Sequence, residues 1–252
     1  MSKSTERFSS RVENYIKYRP GYPTEIIGFL QEACGLTPQS VVADIGSGTG
    51  KLTEILLKNG NTVFGVEPNA GMRAAAERLL SNYEMFKSID GTAEDTSLRE
   101  TSIDLITAGQ AFHWFDPVLA RTEALRILKP GGWVALIWND RKLQSTPFLE
   151  DYEALLLRYG TDYQQVRHDK AEHLITQFFD PGKVQIKVFP NKQIFDFDGL
   201  QGRVLSSSYT PEPDHPDFQP MIQGLKSIFE KHQSSGEVVF DYDTQVFYGQ
   251  LE

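Results

Sequence analysis

The stretch Val41-Val42-Ala43-Asp44-Ile45-Gly46-Ser47-Gly48-Thr49-Gly50-Lys51-Leu52-Thr53 reads as a β-rich run, a glycine turn and the first turn of a helix. A helix that starts directly after a strand presents unpaired amides and partial positive charge at the sheet's carboxyl edge, which suits a nucleotide-like or anionic ligand. Glycines let the backbone come close to it. The spacing Gly46-x-Gly48-x-Gly50 departs by one residue from the dinucleotide pattern G-x-G-x-x-G, which argues against a pyrophosphate cofactor. Glu67 lies 23 positions beyond Asp44 (67 − 44), at the end of the next strand, where a carboxylate can accept both ribose hydroxyls of an adenosine.

Outward from this loop the pattern repeats as strand, turn, helix, the mark of a parallel sheet wound with helices. A helix over Lys51 to Lys58 ends at Asn59-Gly60, strand two is Thr62 to Val66, and Pro68-Asn69 opens a helix through Leu80. Strand three falls near Met85 to Ile89 and strand four at Ile103 to Thr107, followed by the aromatic cluster Phe112-His113-Trp114-Phe115. Asp116-Pro117 opens a helix to Leu128, Lys129-Pro130-Gly131-Gly132 turns the chain, and Trp133 to Trp138 is a near-continuous apolar strand five. Beyond Asn139 the stretch from Phe148 to Phe179 is more helical, and the runs Lys183–Phe189 and Glu237–Tyr242 alternate as an antiparallel pair at the sheet edge. The expected fold is α/β: a mostly parallel seven-stranded sheet with an antiparallel edge strand, helices on both faces and a helical cap inserted after strand five. We expect one domain over 1–252, with an amino-terminal arm and helices at 1–36, a cofactor-binding core at 37–140, and the cap and last two strands at 141–252.

Composition narrows the partners. A net charge of −9, without a dense run of Lys or Arg, argues against nucleic acid and leaves a small molecule as the default partner. Cys34 is the only cysteine, so neither a disulfide framework nor a thiolate zinc site is expected, and a cytoplasmic location fits. Cys34 itself reads as a structural thiol in an apolar helix pattern. The polar amino terminus has no signal-peptide core, and no segment has the apolar length of a membrane span. His168 and His173 are five apart, on different helix faces, so no metal site is expected. The chain is expected to act as a monomer or homodimer.

Five motifs in order give a closer likeness: Val41 to Gly50; Gly65-Val66-Glu67-Pro68-Asn69-Ala70-Gly71-Met72; Gly91-Thr92-Ala93-Glu94-Asp95; Gln110 to Phe115; and Leu128-Lys129-Pro130-Gly131-Gly132. With the amino-terminal Tyr18-Arg19-Pro20-x-Tyr22-Pro23, they make the chain resemble the class I S-adenosylmethionine-dependent methyltransferases. The likeness is to the small-molecule branch that includes methyltransferase type 11 and trans-aconitate methyltransferase-like proteins, whose sheet is Rossmann-like. It implies S-adenosylmethionine as cofactor and methyl transfer to a small-molecule acceptor, with a carboxylate among the candidates. It also implies that Asp44 and the Gly46, Ser47, Gly48 and Thr49 backbone surround the methionine portion, that Glu67 binds the ribose, and that Pro68 and Met72 flank the adenine. Ala93 and Glu94 would meet the adenine edge. Gln110 would approach the methionine moiety or the transferring methyl, and Tyr18 and Arg19 would close over the cofactor, Arg19 pairing with its carboxylate.

A sulfonium methyl is already activated, so the protein needs mainly to align a nucleophile and exclude water. Tyr18, Phe112 and Trp114 offer aromatic faces to that charge. A carboxylate acceptor needs no base; for a hydroxyl or amine, His113 is the candidate catalytic base. Tyr22, His113, Trp114 and Tyr209 are the expected acceptor-wall residues, Tyr209 from the cap segment Ser206-Ser207-Ser208-Tyr209. Two rivals share these features: a non-catalytic S-adenosylmethionine-binding protein, and a nicotinamide-dependent oxidoreductase on the same kind of sheet.

Overall fold

The structure, a computed structural model, describes residues 12–161, 163 and 171–252. Among them seven strands form one sheet: β1 (Val41–Ile45), β2 (Thr62–Val66), β3 (Phe86–Ile89), β4 (Ile103–Gly109), β5 (Leu128–Arg141), β6 (Gln185–Phe195) and β7 (Val238–Gly249). Their order is β3-β2-β1-β4-β5-β7-β6. The first five pair in parallel, and β7 runs antiparallel to both β5 and β6. The antiparallel pair therefore lies at the sheet edge, with the reversed strand one place in and β6 outermost. Both strands are longer than their alternating apolar runs. They stay in register from Gln185↔Tyr248 to Phe195↔Val238, and an edge strand accepts polar residues such as Asn191, Lys192 and Gln193 that carry no strand signal.

The helices are α1 (Val12–Tyr18), α2 (Glu25–Cys34), α3 (Lys51–Lys58), α4 (Ala70–Leu79), α5 (Pro117–Ile127), α6 (Pro147–Tyr159), α7 (Ala171–Phe179), α8 (Phe197–Leu205) and α9 (Phe218–His232), with a 3₁₀ turn at Phe112–Trp114. Capping explains most of the starts. Asn69, Asp116, Thr146 and Asp196 each accept a hydrogen bond from an amide in the first turn of the helix that follows, and Pro117 and Pro147 occupy first-turn positions where no donor is lost. The α3 stripe Leu52, Thr53, Leu56 and Leu57 is buried against the sheet.

Apolar side chains cover both faces of the sheet. One cluster joins Ile106, Val134 and Leu136 to Phe112, Phe178 and Phe179; the other joins Val42, Val63 and Ile137 to α2 and α3. A third cluster, formed by Leu149, Tyr152, Leu200, Leu225 and Phe240, builds the cap from α6, α8, α9 and β7. Cys34 is half-buried at the end of α2, and burial pushes its thiol up to about 12, so no thiolate forms near neutrality. The connections from β1 run toward β3 and those from β4 toward β5, so the chain reverses direction between β1 and β4. In open α/β sheets that switch point leaves a crevice at the carboxyl ends of the strands, the usual place for a ligand.

Candidate active site

The crevice between β1 and β4 is a cleft with a cavity volume of about 200 Å³, open to solvent at its mouth. Its floor is the glycine loop. Gly46 donates to the Val66 carbonyl (2.8 Å) and takes a left-handed φ of 66°, and a Cβ there would lie 2.5 Å from the Cβ of Ala111. Only glycine lets the two loops at the ends of β1 and β4 come this close. Gly48 is also left-handed, with open space in front of it. Thr49 lines the cleft with a buried Oγ1 that has no hydrogen-bond partner. The loop thus offers backbone donors, an open face and one unsatisfied hydroxyl, a cradle that fits the amino-acid end of a nucleoside cofactor.

Asp44 at the end of β1 is fully buried and also lines the cleft. Its two oxygens accept from Thr53 Oγ1 (2.6 Å) on α3 and Thr107 Oγ1 (2.9 Å) on β4. Burial raises its carboxyl to about 6, against the lowering effect of those hydroxyls. Glu67 stands behind the loop. Its Oε2 accepts from Gly48 N (3.0 Å) and its Oε1 from Asn69 N (2.8 Å), while burial raises its pKa. Each oxygen keeps one acceptor direction, enough for a pair of hydroxyls.

Of the other expected site residues, Arg19, Tyr22, Ser47, Gln110, His113, Trp114 and Tyr209 line this cleft, whereas Tyr18, Glu67, Pro68, Met72, Ala93 and Glu94 do not. Met72 and Ala93 are buried in the core, and Pro68 is exposed beyond β2. Glu94 accepts from Asp116 N (2.8 Å), and Tyr18 packs its ring on Gly202. Phe112 is 1% exposed and meets Phe115, Trp138 and Phe178 edge to face, so it is a core residue. Trp114, 41% exposed, is the member of the aromatic cluster that reaches solvent beside the His113 ring. Gln110 adopts φ 55°, rare for a side-chain-bearing residue, and is held there by its N–H on Ile137 O and its Nε2 on Asn139 O, both 2.9 Å.

Several wall residues carry no local sequence signal. The arm before α2 is tied across the cleft by its carbonyls: Lys51 Nζ donates to Ile16 O (2.8 Å), Gln193 Nε2 to Tyr18 O (3.1 Å), and Asn139 Nδ2 (3.0 Å) and Asn191 Nδ2 (3.1 Å) to Gly21 O. Arg19 Nη2 donates to Ser206 O (3.0 Å) in the cap. Arg141, Tyr163, Arg203 and Tyr242 complete the cap side of the wall. The one available hint is Arg203 on the buried face of α8 beside Leu200 and Val204, where a cation is out of place without a polar partner. Among the described residues there is no group of three side chains arranged to hold a metal, and no helix is long and apolar enough to cross a membrane. Of the two histidines weighed as a metal pair, His168 lies outside the described residues.

A methyltransferase-domain family model matches residues 43–136, the segment from β1 through β5 that supplies the floor of the cleft. An uncharacterized methyltransferase of Mycobacterium tuberculosis is 39% identical over 138 residues, 53% of this chain and 52% of that protein. In that alignment the chain spans about half the length of the curated relative. An uncharacterized methyltransferase of Geobacillus thermodenitrificans is 30% identical over 195 residues, 74% of this chain and 83% of its own. Among solved structures, a proposed type II methyltransferase from Anaeromyxobacter dehalogenans superposes with a TM-score of 0.68 over 92% of this chain and 97% of that one, at 18% identity, which speaks to the fold. With its glycine loop, its switch-point cleft and these relatives, the chain belongs to the class I S-adenosylmethionine-dependent methyltransferases.

Proposed function

We propose that the chain transfers the methyl group of S-adenosylmethionine to a small-molecule acceptor held between the glycine loop and the cap. The observation that carries this reading is the tied-down arm. Four hydrogen bonds to the carbonyls of Ile16, Tyr18 and Gly21, and the Arg19–Ser206 bond, hold the arm against the sheet and cap, so that Arg19, Pro20 and Tyr22 line a cleft of small-molecule size. Asp44, Gly46 to Thr49 and Gln110 would hold the methionine portion, Arg19 its carboxylate, and Glu67 the ribose. Pro68, Met72, Ala93 and Glu94 would border the adenine. When bound, the cofactor supplies an electrophilic methyl group on a sulfonium. The protein's part is alignment and exclusion of water, tasks that fall to the cleft walls and the ends of β4 and β5. Trp114 offers the sulfonium an aromatic face, and Tyr22, His113 and Tyr209 face the acceptor. A carboxylate acceptor needs no proton removed; for a hydroxyl or amine, His113 takes it.

The test is calorimetric titration with S-adenosylmethionine, S-adenosylhomocysteine and NAD, followed by a labelled-methyl screen over small acids, phenols and amines. Binding of the first two and label transfer to a small acceptor are expected. Binding of NAD alone, or label appearing only on a macromolecule, would refute the reading.

A further inference from the structure

We infer that Arg203 and Arg141 form an anion subsite at the cap end of the cleft that takes a single carboxylate of the methyl acceptor. The inference rests on the cleft being the methyl-transfer site. Arg203, 5% exposed on α8, lines the cleft, and its guanidinium reaches only neutral groups, Ser207 Oγ (3.1 Å) and Tyr242 Oη (3.4 Å). Among the described residues no carboxylate pairs with it. Arg141, at the end of β5, is nine-tenths buried and lines the same wall. Its Nη2 donates to Glu153 Oε2 (2.5 Å) and Tyr163 Oη (2.9 Å), while its buried Nη1 has no hydrogen-bond partner.

The charges decide what is missing. Of the two guanidinium groups, which stay protonated, only that of Arg141 has a carboxylate partner, Glu153, so the charge of Arg203 stands in a desolvated wall without a paired counter-ion. The carboxylates that line the cleft are Asp44, which accepts from Thr53 and Thr107, and Asp140, which is exposed to solvent, and neither pairs with Arg203. A buried cation without a counter-ion is unfavourable, and a planar fork of donors beside an open cavity matches a carboxylate in charge and shape. One compensating charge fits a monoanionic carboxylate better than a phosphate dianion. The phenol of Tyr209 reports the same field: burial pushes its pKa up, yet the charges of Arg203, Arg19 and Arg141 bring it below the usual phenol value.

The test uses the full chain saturated with S-adenosylhomocysteine and follows the thermal midpoint at constant ionic strength. The probes are acetate and benzoate against acetamide and benzamide, with inorganic phosphate as a further arm. In the unaltered protein the carboxylates should raise the midpoint and the amides should not. Arg203→Met should abolish the carboxylate response while S-adenosylhomocysteine affinity stays within about threefold. Arg203→Lys, which keeps the charge and loses the fork, should weaken carboxylate binding on the order of tenfold and serves as the readout if the Met variant does not fold. Equal responses to carboxylate and amide, or an unchanged carboxylate response in a folded Arg203 variant, would overturn the subsite. A larger response to phosphate would overturn the choice of carboxylate. Failure of S-adenosylhomocysteine to bind the unaltered protein would count instead against the methyltransferase reading of the cleft.

Discussion

Glu67 is engaged twice before any ligand arrives, by the amides of Gly48 and Asn69. Those bonds fix its carboxylate against the glycine loop and leave its outward lone pairs for hydroxyls. Hydrogen bonds to a charged group are worth about 1.5–3 kcal/mol, so Glu67→Ala should weaken S-adenosylhomocysteine by roughly 10- to 150-fold in calorimetry, with circular dichroism unchanged. Unaltered affinity would remove Glu67 from the ribose site. Asp44 makes a different prediction, through pH. Its folded pKa, about 6, exceeds the ordinary 3.8 because the group is buried. The native state therefore holds the proton more tightly than the unfolded chain, and this contribution to stability is complete below about pH 4 and lost as pH rises through about 6. Asp44→Asn cannot ionise, so its stability relative to the unaltered protein should climb across that window by at most about 1.4 kcal/mol per pH unit. A flat difference in denaturant unfolding between pH 4 and 6 would show Asp44 to be an ordinary carboxylate. The loop glycines and the place of Glu67 at the end of β2 were legible in the sequence because both follow from adjacency to a strand end. Arg141 and Arg203 were not, since what makes them unusual is burial against Tyr163, Tyr242 and Ser207, residues remote in sequence or unremarkable in type.

Elements show the same division between near and distant causes. Strands β1, β2 and β4 and the Trp133–Trp138 centre of β5 announce themselves through apolar runs, and the helices after β2 and β4 through Asn69 and Asp116 as caps, whereas the expected turn at Lys129–Gly132 lies inside β5, which runs from Leu128 to Arg141. The full extent of β6 and β7 depends on pairing with each other, which no local pattern encodes. The amino-terminal arm depends on distant partners too. It is held by side chains from α3, β5 and β6 that close onto its carbonyls, each bond worth about 1 kcal/mol net. Replacing Lys51 with Met and Gln193 with Leu removes the Ile16 and Tyr18 anchors together. The open arm should then be populated roughly thirtyfold more, seen as faster amide exchange over residues 16–21 and faster tryptic cleavage after Lys17. The midpoint of global unfolding should fall as well, because Gln193 Oε1 also accepts from the buried Tyr242 hydroxyl (3.0 Å) in the cap core, so exchange over the arm is compared with exchange over the rest of the chain. Unchanged exchange would mean that these anchors do not govern the arm.

For the whole molecule, the decisive relation is that the sheet and the cap meet at the cleft. The floor comes from β1, α3 and β4, the roof from α8 and the arm, and β5 and β7 run through both, pairing from Val134↔Gly249 to Arg141↔Tyr242. A ligand in the cleft touches both parts and should stabilise them together, and we propose that residues 37–140 and the cap unfold as one unit. S-adenosylhomocysteine at a hundredfold excess over its Kd adds about 2.7 kcal/mol to the native state. For a chain of this length each kcal/mol is worth about 2–4 °C, so the midpoint should rise by roughly 5–10 °C. Differential scanning calorimetry should show one transition that moves as a whole, with no movement when NAD replaces S-adenosylhomocysteine. Two transitions of which one shifts would separate the cap from the cofactor-binding core, and the continuous β5–β7 pairing would then not be what couples them. A single transition that moves with S-adenosylhomocysteine would make the cleft the joint of the molecule, where binding the methyl donor also sets the cap that receives the acceptor.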